Sequence, residues 1–250
     1  MELRFSTWPE VEHYLKDSRA IVMPIGSTEQ HGPNGLIGTD ALCPEALALE
    51  LGKQTGALIA PTISVGMAQH HLGFPGSITL KPSTLILVIC DMVNSLIQHG
   101  FQRFYFLNGH GGNISTVNAA FSEIYAQSSL GFKPAAYSEI RCILRNWWEA
   151  DGVMSLSKEF FGDADGSHAT CGEVSLTQYA YPDSIKSAEM DPPIAPTGPI
   201  YDAADYRRRF PDGRIGSNPS LANPKAGKAL FDMALRDIIS DYAKFAKGVD

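Results

Sequence analysis

The sequence is sparing with charge: only 19% of its 250 residues are Asp, Glu, Lys or Arg, and no run of Lys or Arg occurs anywhere. With a formal net charge of −7, it lacks the clustered cations that nucleic acid or an anionic membrane surface requires. Cysteine is scarce as well. Cys43, Cys90, Cys142 and Cys171 are widely spaced, with no C-x-x-C pair, which excludes a disulfide scaffold and leaves buried thiols as the expectation. Of the four, Cys171 alone stands near the chemistry described below. No apolar stretch reaches the ~18 residues of a membrane span, and the opening MELRFSTWPEVEHYLKDS lacks the basic-then-apolar order of a signal peptide. Neither an internal repeat nor a low-complexity segment is present. What is there is a 44% hydrophobic chain, too apolar for disorder and long enough to bury a substantial core. A single compact domain over residues 1–250, soluble and cytoplasmic, is expected.

Strand-length apolar runs alternate with helical patterns. Ala20 to Ile25 reads as a buried strand ending at Gly26, and Ala57 to Ala60 as a second, closed by Pro61. Phe104 to Leu107 makes a third and Lys133 to Ile140 a fourth. Helices are expected over Pro44–Gln54, Ser83–His99 (stopped by Gly100), Ile114–Gln127, Gly172–Ala180 and about Lys225–Lys247. The last places Leu230, Met233, Ala234, Ile238, Tyr242 and Phe245 on one stripe. Between Pro182 and Pro224, six further prolines break any periodicity, predicting a long irregular segment that walls a site or meets another subunit. The βαβα order predicts an α/β fold, a mainly parallel sheet with helices on both faces.

Ligands of such sheets bind beyond the carboxyl ends of the strands, and polar residues collect there. Gly26-Ser27-Thr28-Glu29-Gln30-His31-Gly32-Pro33 and then Gly38-Thr39-Asp40 follow the first strand. Asn108 to Asn113 follows the third, and Asp165 to Glu173 precedes a short helix. Glu29, His31, Asp40, His110, His168 and Glu173 thus sit among small residues that let backbone approach a ligand closely. Glu29 and His31 are two apart, so an extended segment points both side chains one way. Carboxylates and imidazoles together suit Zn²⁺, Mn²⁺ or Fe²⁺. Three carboxylates and two imidazoles (Glu29, Asp40, Glu173, His31, His110) are many for one ion and comfortable for two.

Each residue also has a plain structural reading. Glu29 reads equally as a solvated loop acid, and His31 or His110 as a hydrogen-bonded histidine. Asp40 and Asn113 are placed to cap the helices near Pro44 and Ile114, and Glu173 to favour a helix dipole. A nucleotide- or phosphate-binding turn at Asn108–Asn113 is a rival of another class, although neither G-x-G-x-x-G nor G-x-x-x-x-G-K-[ST] occurs. The absence of G-x-S-x-G disfavours a serine hydrolase of that type.

The ordered segments MPIGSTEQHGP, GTD, HLGFPGS, LNGHGGN, SHATCGEVS and GSNPSLANPKAG resemble the creatininase (creatinine amidohydrolase) family along nearly the whole chain. That resemblance implies an α/β fold, assembly as a homo-oligomer (commonly a hexamer), and two divalent metal ions, Zn²⁺ foremost with Mn²⁺ or Fe²⁺ as alternatives. By the same resemblance Glu29 and His110 would hold one ion, His31 and Glu173 the other, and Asp40 would bridge them. His168 would be catalytic, protonating the leaving nitrogen, and Ser77, Gly111 and Gly112 would contact substrate. The implied activity is hydrolysis of a C–N bond in a small amide, cyclic amide or formamide by a hydroxide bridging the two metals.

Two departures weigh against creatinine. Where creatininase has a catalytic glutamate two residues after the loop histidine, this chain has Gly112. No tryptophan stands immediately before His168, although Trp147 and Trp148 lie upstream and read equally as an aromatic lid or as packing. The glycine form is similar to other branches of the family, a formamidopyrimidine-type deformylase and a peptide-trimming maturation enzyme.

Overall fold

The computed structural model describes residues 1–132 and 139–249. Three parallel strands, β1 (Ala20–Ile25), β2 (Arg103–Asn108) and β3 (Arg141–Asn146), lie in the order β1-β2-β3. Their register runs from Ala20 beside Arg103 and Arg141 to Ile25 beside Asn108 and Asn146, so all three end level. The expected fourth strand, 133–140, lies mostly outside the described residues, and β3 begins directly after it. Residues 57–63 follow the other edge of β1: Val22 N donates to Leu58 O, Ala60 N to Val22 O, and Gly26 N to Ile63 O. The expected second strand is therefore an edge partner joined through isolated bridges at Ile59 and Ile63, interrupted by Pro61, which has no N–H to give.

Side chains alternate across β1 and β2. Ala20, Val22, Tyr105 and Leu107 pack on one face with α2 (Thr39–Thr55), α6 (Cys171–Ala180) and α8 (Pro224–Lys247), through Leu47, Leu51, Leu176, Leu230 and Ile238. Ile21, Met23, Ile25, Phe104 and Phe106 pack on the other with α3 (Pro82–Ile97) and α4 (Ile114–Ser129), through Leu85, Ile89, Val117 and Ile124. Burial on both faces is why these strands read as unbroken apolar runs, and each such large side chain contributes about 1.5–3 kcal/mol. At the exposed edge β3 carries Arg141 and Arg145, the latter paired to Asp241 of α8 at 2.8 Å.

The long helix α8 has its expected stripe inward, Leu230, Ala234, Ile238, Tyr242 and Phe245 being buried. Its start is fixed by Asn223, whose side chain accepts from Ala226 N, and its end by Gly248 at φ 75°. Three short helices escape the sequence pattern: α1 (Trp8–Tyr14), α5 (Val153–Phe161) and α7 (Ala203–Arg209). The last lies inside the segment expected to be irregular throughout. Among the described residues, no helix is long and apolar enough to cross a membrane.

Candidate metal centre

The loops leaving β1 and β2 meet the first turns of α2 and α6. What lets α2 approach is glycine at the residue after each strand. A Cβ on Gly26 would stand 2.1 Å from the Asp40 carbonyl oxygen, and one on Gly109 1.9 Å from it. Pro44, inside α2, has no N–H for that same i−4 carbonyl, so the first turn of the helix is free to lie against the strand ends. Gly38 occupies the N-cap position and Asp40 the first turn, so Asp40 is not the cap. Its carboxylate instead enters the space between the loops.

Two histidines there each spend one ring nitrogen on a backbone carbonyl. His31 Nδ1 lies 3.1 Å from Glu29 O, and His110 Nε2 lies 2.9 Å from Met67 O. A neutral imidazole donates through one nitrogen only, so His31 Nε2 and His110 Nδ1 are left bare and face the acids. His31 Nε2 is 3.0 Å from Asp40 Oδ1 and 3.8 Å from Glu173 Oε1. His110 Nδ1 is 3.0 Å from Asp40 Oδ2. Such second-nitrogen anchoring is the usual support of metal-binding histidines.

Glu29 is fully buried; Ser27 Oγ donates to its Oε2 at 2.8 Å. Its Oε1 and Asp40 Oδ2 are buried and accept no hydrogen bond, although imidazole nitrogens stand 3.0 Å from each. Glu173 closes the cluster from α6. Its Oε1 accepts from Thr170 N at 2.5 Å while Thr170 Oγ1 accepts from Glu173 N, so this acid is a capping-box residue and a member of the cluster at once.

Without a metal, protons must balance this charge. Burial works against the His31 imidazolium, but Asp40 and Glu173 raise its pKa to about 10. Burial likewise opposes charge on His110, which Glu29 and Asp40 raise to about 9. Against its own burial, Asp40 is held below the usual carboxylate range by those two imidazoles. Burial pushes Glu173 up to about 7 and raises Glu29 as well. Candidate donor atoms fall within 4.8 Å of one another in three groups: Glu29, Asp40 and His110; His31, Asp40 and Glu173; and Glu29, His31 and His168. Orphaned carboxylate oxygens facing bare imidazole nitrogens fit divalent cations better than they fit one another.

His168 and His71 complete the wall. Their rings stack at 4.4 Å, with His71 Nε2 3.0 Å and His168 Nδ1 3.8 Å from Glu29 Oε1. Burial, then the neighbouring imidazoles, keeps His168 well below its ordinary pKa, and burial lowers His71 to about 2. Both are neutral. The sequence reading missed His71, although it stands in the HLGFPGS segment; its signal was a His-His pair between glycine-bounded turns.

A cavity of about 680 Å³ opens onto Asp40, His110, His168 and Glu173. Gly111, Trp147 and Trp148 line it, with Leu230 of α8 on a further wall. Trp147 is also 3% exposed and part of the core, so lining and packing are both true of it. Ser77 and Gly112 are not among the cavity's lining residues. Ser77 Oγ accepts from Gln30 N at 3.1 Å, and a Cβ on Gly112 would stand 2.3 Å from His110 Nε2. Asn113 does not cap α4. It joins loops instead, donating to Gly26 O and accepting from Met67 N. With Asn108 bonded to His110 and Asn146, the asparagine side chains of the rival phosphate turn are committed within the protein. All four cysteines are buried and free; the Cys171 thiol lies 3.1 Å from Ala164 O and 3.0 Å from Asn218 O.

A family model described as Creatininase, creatinine amidohydrolase, matches residues 4–241. The chain is 26% identical over 249 residues to creatinine amidohydrolase of Pseudomonas putida, covering 93% of this chain and 92% of the relative. It is 32% identical over 222 residues to the mycofactocin precursor peptide peptidase of Mycolicibacterium smegmatis, covering 84% and 79%. To the 2-amino-5-formylamino-6-ribosylaminopyrimidin-4(3H)-one 5'-monophosphate deformylase of Methanothermus fervidus it is 25% identical over 229 residues, covering 88% and 82%. A crystal structure of creatinine amidohydrolase shares the fold with a TM-score of 0.83 at 21% identity, covering 98% of this chain and 97% of the other. Similar creatininase structures include one described with Mn and a mutant of Zn-Zn type, with TM-scores of 0.79 and 0.82, both at 22% identity and covering 98% of each chain.

Proposed function

The chain belongs to the creatininase family, whose members hydrolyse C–N bonds, and from that premise we propose that it is a two-metal amidohydrolase acting on a small amide, cyclic amide or formamide. Glu29 and His110 would hold one divalent ion and His31 and Glu173 the other, with Asp40 shared. The carrying observation is the pair of bare nitrogens, His31 Nε2 and His110 Nδ1, each 3.0 Å from a different oxygen of Asp40. Zn²⁺ is the first choice on this nitrogen and oxygen donor set, and Mn²⁺ or Fe²⁺ the alternatives. Bound cations would supply Lewis acidity, which polarises an amide carbonyl and makes water a stronger acid.

The chain's own residues do the rest. His168 is neutral at rest, so Nδ1 first takes the proton from the attacking water and then delivers it to the leaving nitrogen. This order adds a step to the simple acid expected from sequence. Trp147 and Trp148 hold the apolar side of the substrate and exclude water. Gly111, open toward the cavity, leaves its backbone free to approach the substrate. No acidic side chain follows at 112, so His168 alone moves the proton.

Creatinine is set aside because Gly112 replaces the acid of creatininase. The deformylase and the peptide peptidase among the relatives make a formamidopyrimidine-type formamide or a peptide terminus the first substrates to test. We also read the protein as a cytoplasmic homo-oligomer, a hexamer by family. Four free buried thiols suit a reducing compartment, and Phe5 and Trp8, 78% and 76% exposed, are apolar surface suited to a subunit contact. Hydrolysis of a panel of formamides, lactams and short peptides by the Zn²⁺- or Mn²⁺-loaded chain tests the reading. Turnover lost on chelation and regained on metal return is expected, and turnover indifferent to chelation would overturn it.

A further inference from the structure

Gln30 stands between the two neutral histidines, and its hydrogen bonds decide which nitrogen of each is bare. Its Oε1 accepts from Gly32 N at 2.9 Å, which fixes the amide so that Nε2 is the donating end. Nε2 carries two protons and has four polar atoms near it. Gly213 O, His71 Nδ1 and His168 Nε2 are each at 2.9 Å, and the Tyr206 hydroxyl is at 3.4 Å. A carbonyl can only accept, so Gly213 O takes one proton. The room for this arrangement exists because residue 213 is glycine, at φ 90°: a Cβ there would stand 1.8 Å from Gln30 Oε1.

The second proton is contested between the histidines, and their other partners settle it. His168 Nε2 lies 2.9 Å from the backbone carbonyl of Gln30 and can donate there. His71 Nδ1 has no such acceptor; its neighbour is the amide itself. Were His71 protonated at Nδ1, a buried N–H would face a buried NH₂, leaving donors without acceptors at a cost of about 1–3 kcal/mol. Every group is satisfied when Gln30 Nε2 donates to His71 Nδ1 and His168 Nε2 donates to Gln30 O.

We infer that Gln30 is a positioning residue that sets both histidines: through its side chain it makes His71 present Nε2–H to Glu29, and through its carbonyl it makes His168 present a bare Nδ1 to the site. Glu29 is then steadied from outside by Ser27 Oγ and by His71 Nε2–H, the latter 3.0 Å from Oε1 and off the line of a full hydrogen bond. His71 is a donor that steadies an acid, and His168 a proton acceptor. The consequence for hydrolysis rests on the function proposed above; the hydrogen-bond pattern itself does not.

Magic-angle-spinning ¹⁵N spectra of the full chain, labelled at histidine and loaded with Zn²⁺, test this, with His71 and His168 assigned from His71→Gln and His168→Gln spectra. The expected result is a proton on Nε2 and none on Nδ1 for both residues. In Gln30→Glu the carboxylate accepts instead of donating, so His71 gains a proton at Nδ1 while His168, bonded to backbone, keeps its pattern. Apparent Zn²⁺ affinity in that variant should fall roughly 10–100-fold, as for other outer supports of metal ligands. A proton on His71 Nδ1 or His168 Nδ1 in the parent chain overturns the inference without any variant having to fold. So does a folded Gln30→Glu protein with unchanged His71 signals and Zn²⁺ affinity. Zinc uptake alongside a protonated His71 Nδ1 would sink this inference and spare the metal centre; no zinc uptake would sink the proposed function.

Discussion

Asp40 Oδ2 and His110 Nδ1 lie 3.0 Å apart in the protein interior, yet Oδ2 accepts no hydrogen bond. His110 has already given its N–H to Met67 O through the other nitrogen. Two lone pairs therefore face each other, an arrangement that repels unless a proton or a cation comes between them. His31 Nε2 meets the other oxygen of the same carboxylate in the same way. Asp40 is thus the atom pair about which the centre is built.

Exchanging Asp40 for Asn should weaken binding of both ions at least about 100-fold, since outer supports alone are worth 10–100-fold. Glu173→Gln should weaken one ion and leave the other. Elemental analysis of the two purified variants after equilibrium dialysis distinguishes a shared ligand from an unshared one; equal losses in both would contradict the sharing.

Stability of the metal-stripped chain should fall as pH rises from about 7 to 10. The folded pKa values of His31 and His110, about 10 and about 9, lie above their ordinary value, so their contribution is complete below about 6.5 and is lost as pH climbs through the raised values. Glu173, raised to about 7, acts in the same direction, because ionising it in the fold is unfavourable. Cations replace those protons, so the loaded protein should show a flatter profile. Thermal unfolding of both forms across this range checks the sign.

His168→Ala should reduce turnover by roughly 10²–10⁴, the usual worth of a positioned proton carrier, while metal content is unchanged. Parallel metal analysis and steady-state kinetics check this. Loss of the metals along with activity would mean that His168 is a ligand, as its grouping with Glu29 and His31 permits.

Gly109→Ala should destabilise the fold by about 1–3 kcal/mol and displace Asp40, because the new Cβ would begin 1.9 Å from its carbonyl oxygen. Gly111→Ala, with nothing within 4 Å of its Cβ, is the control and should leave stability nearly unchanged. Denaturant midpoints of the two variants decide it.

The sheet was legible because β1 and β2 are buried on both faces, so Ala20–Ile25 and Phe104–Leu107 read as unbroken apolar runs. Helices with a wide buried stripe, such as α8, were equally plain. In contrast, α1 buries no residue and α7 only Tyr206, so neither leaves an apolar period in the sequence. Glu29, His31, Asp40, His110 and Glu173 were found because they cluster at strand ends among glycines. His71 was not, because it comes from the connection after residue 63 and reaches the centre only through tertiary folding. Asn113 deceived by position: its place before α4 suggested a cap, but the unpaired backbone of Gly26 and Met67 claimed its side chain.

The most direct measurement is the metal content of the full chain, purified without chelator and supplied with Zn²⁺ or Mn²⁺, together with anomalous diffraction to locate the ions. The account predicts about two divalent ions per chain, both within reach of Asp40. Fewer than about one ion per chain, or ions bound away from Asp40, would contradict it.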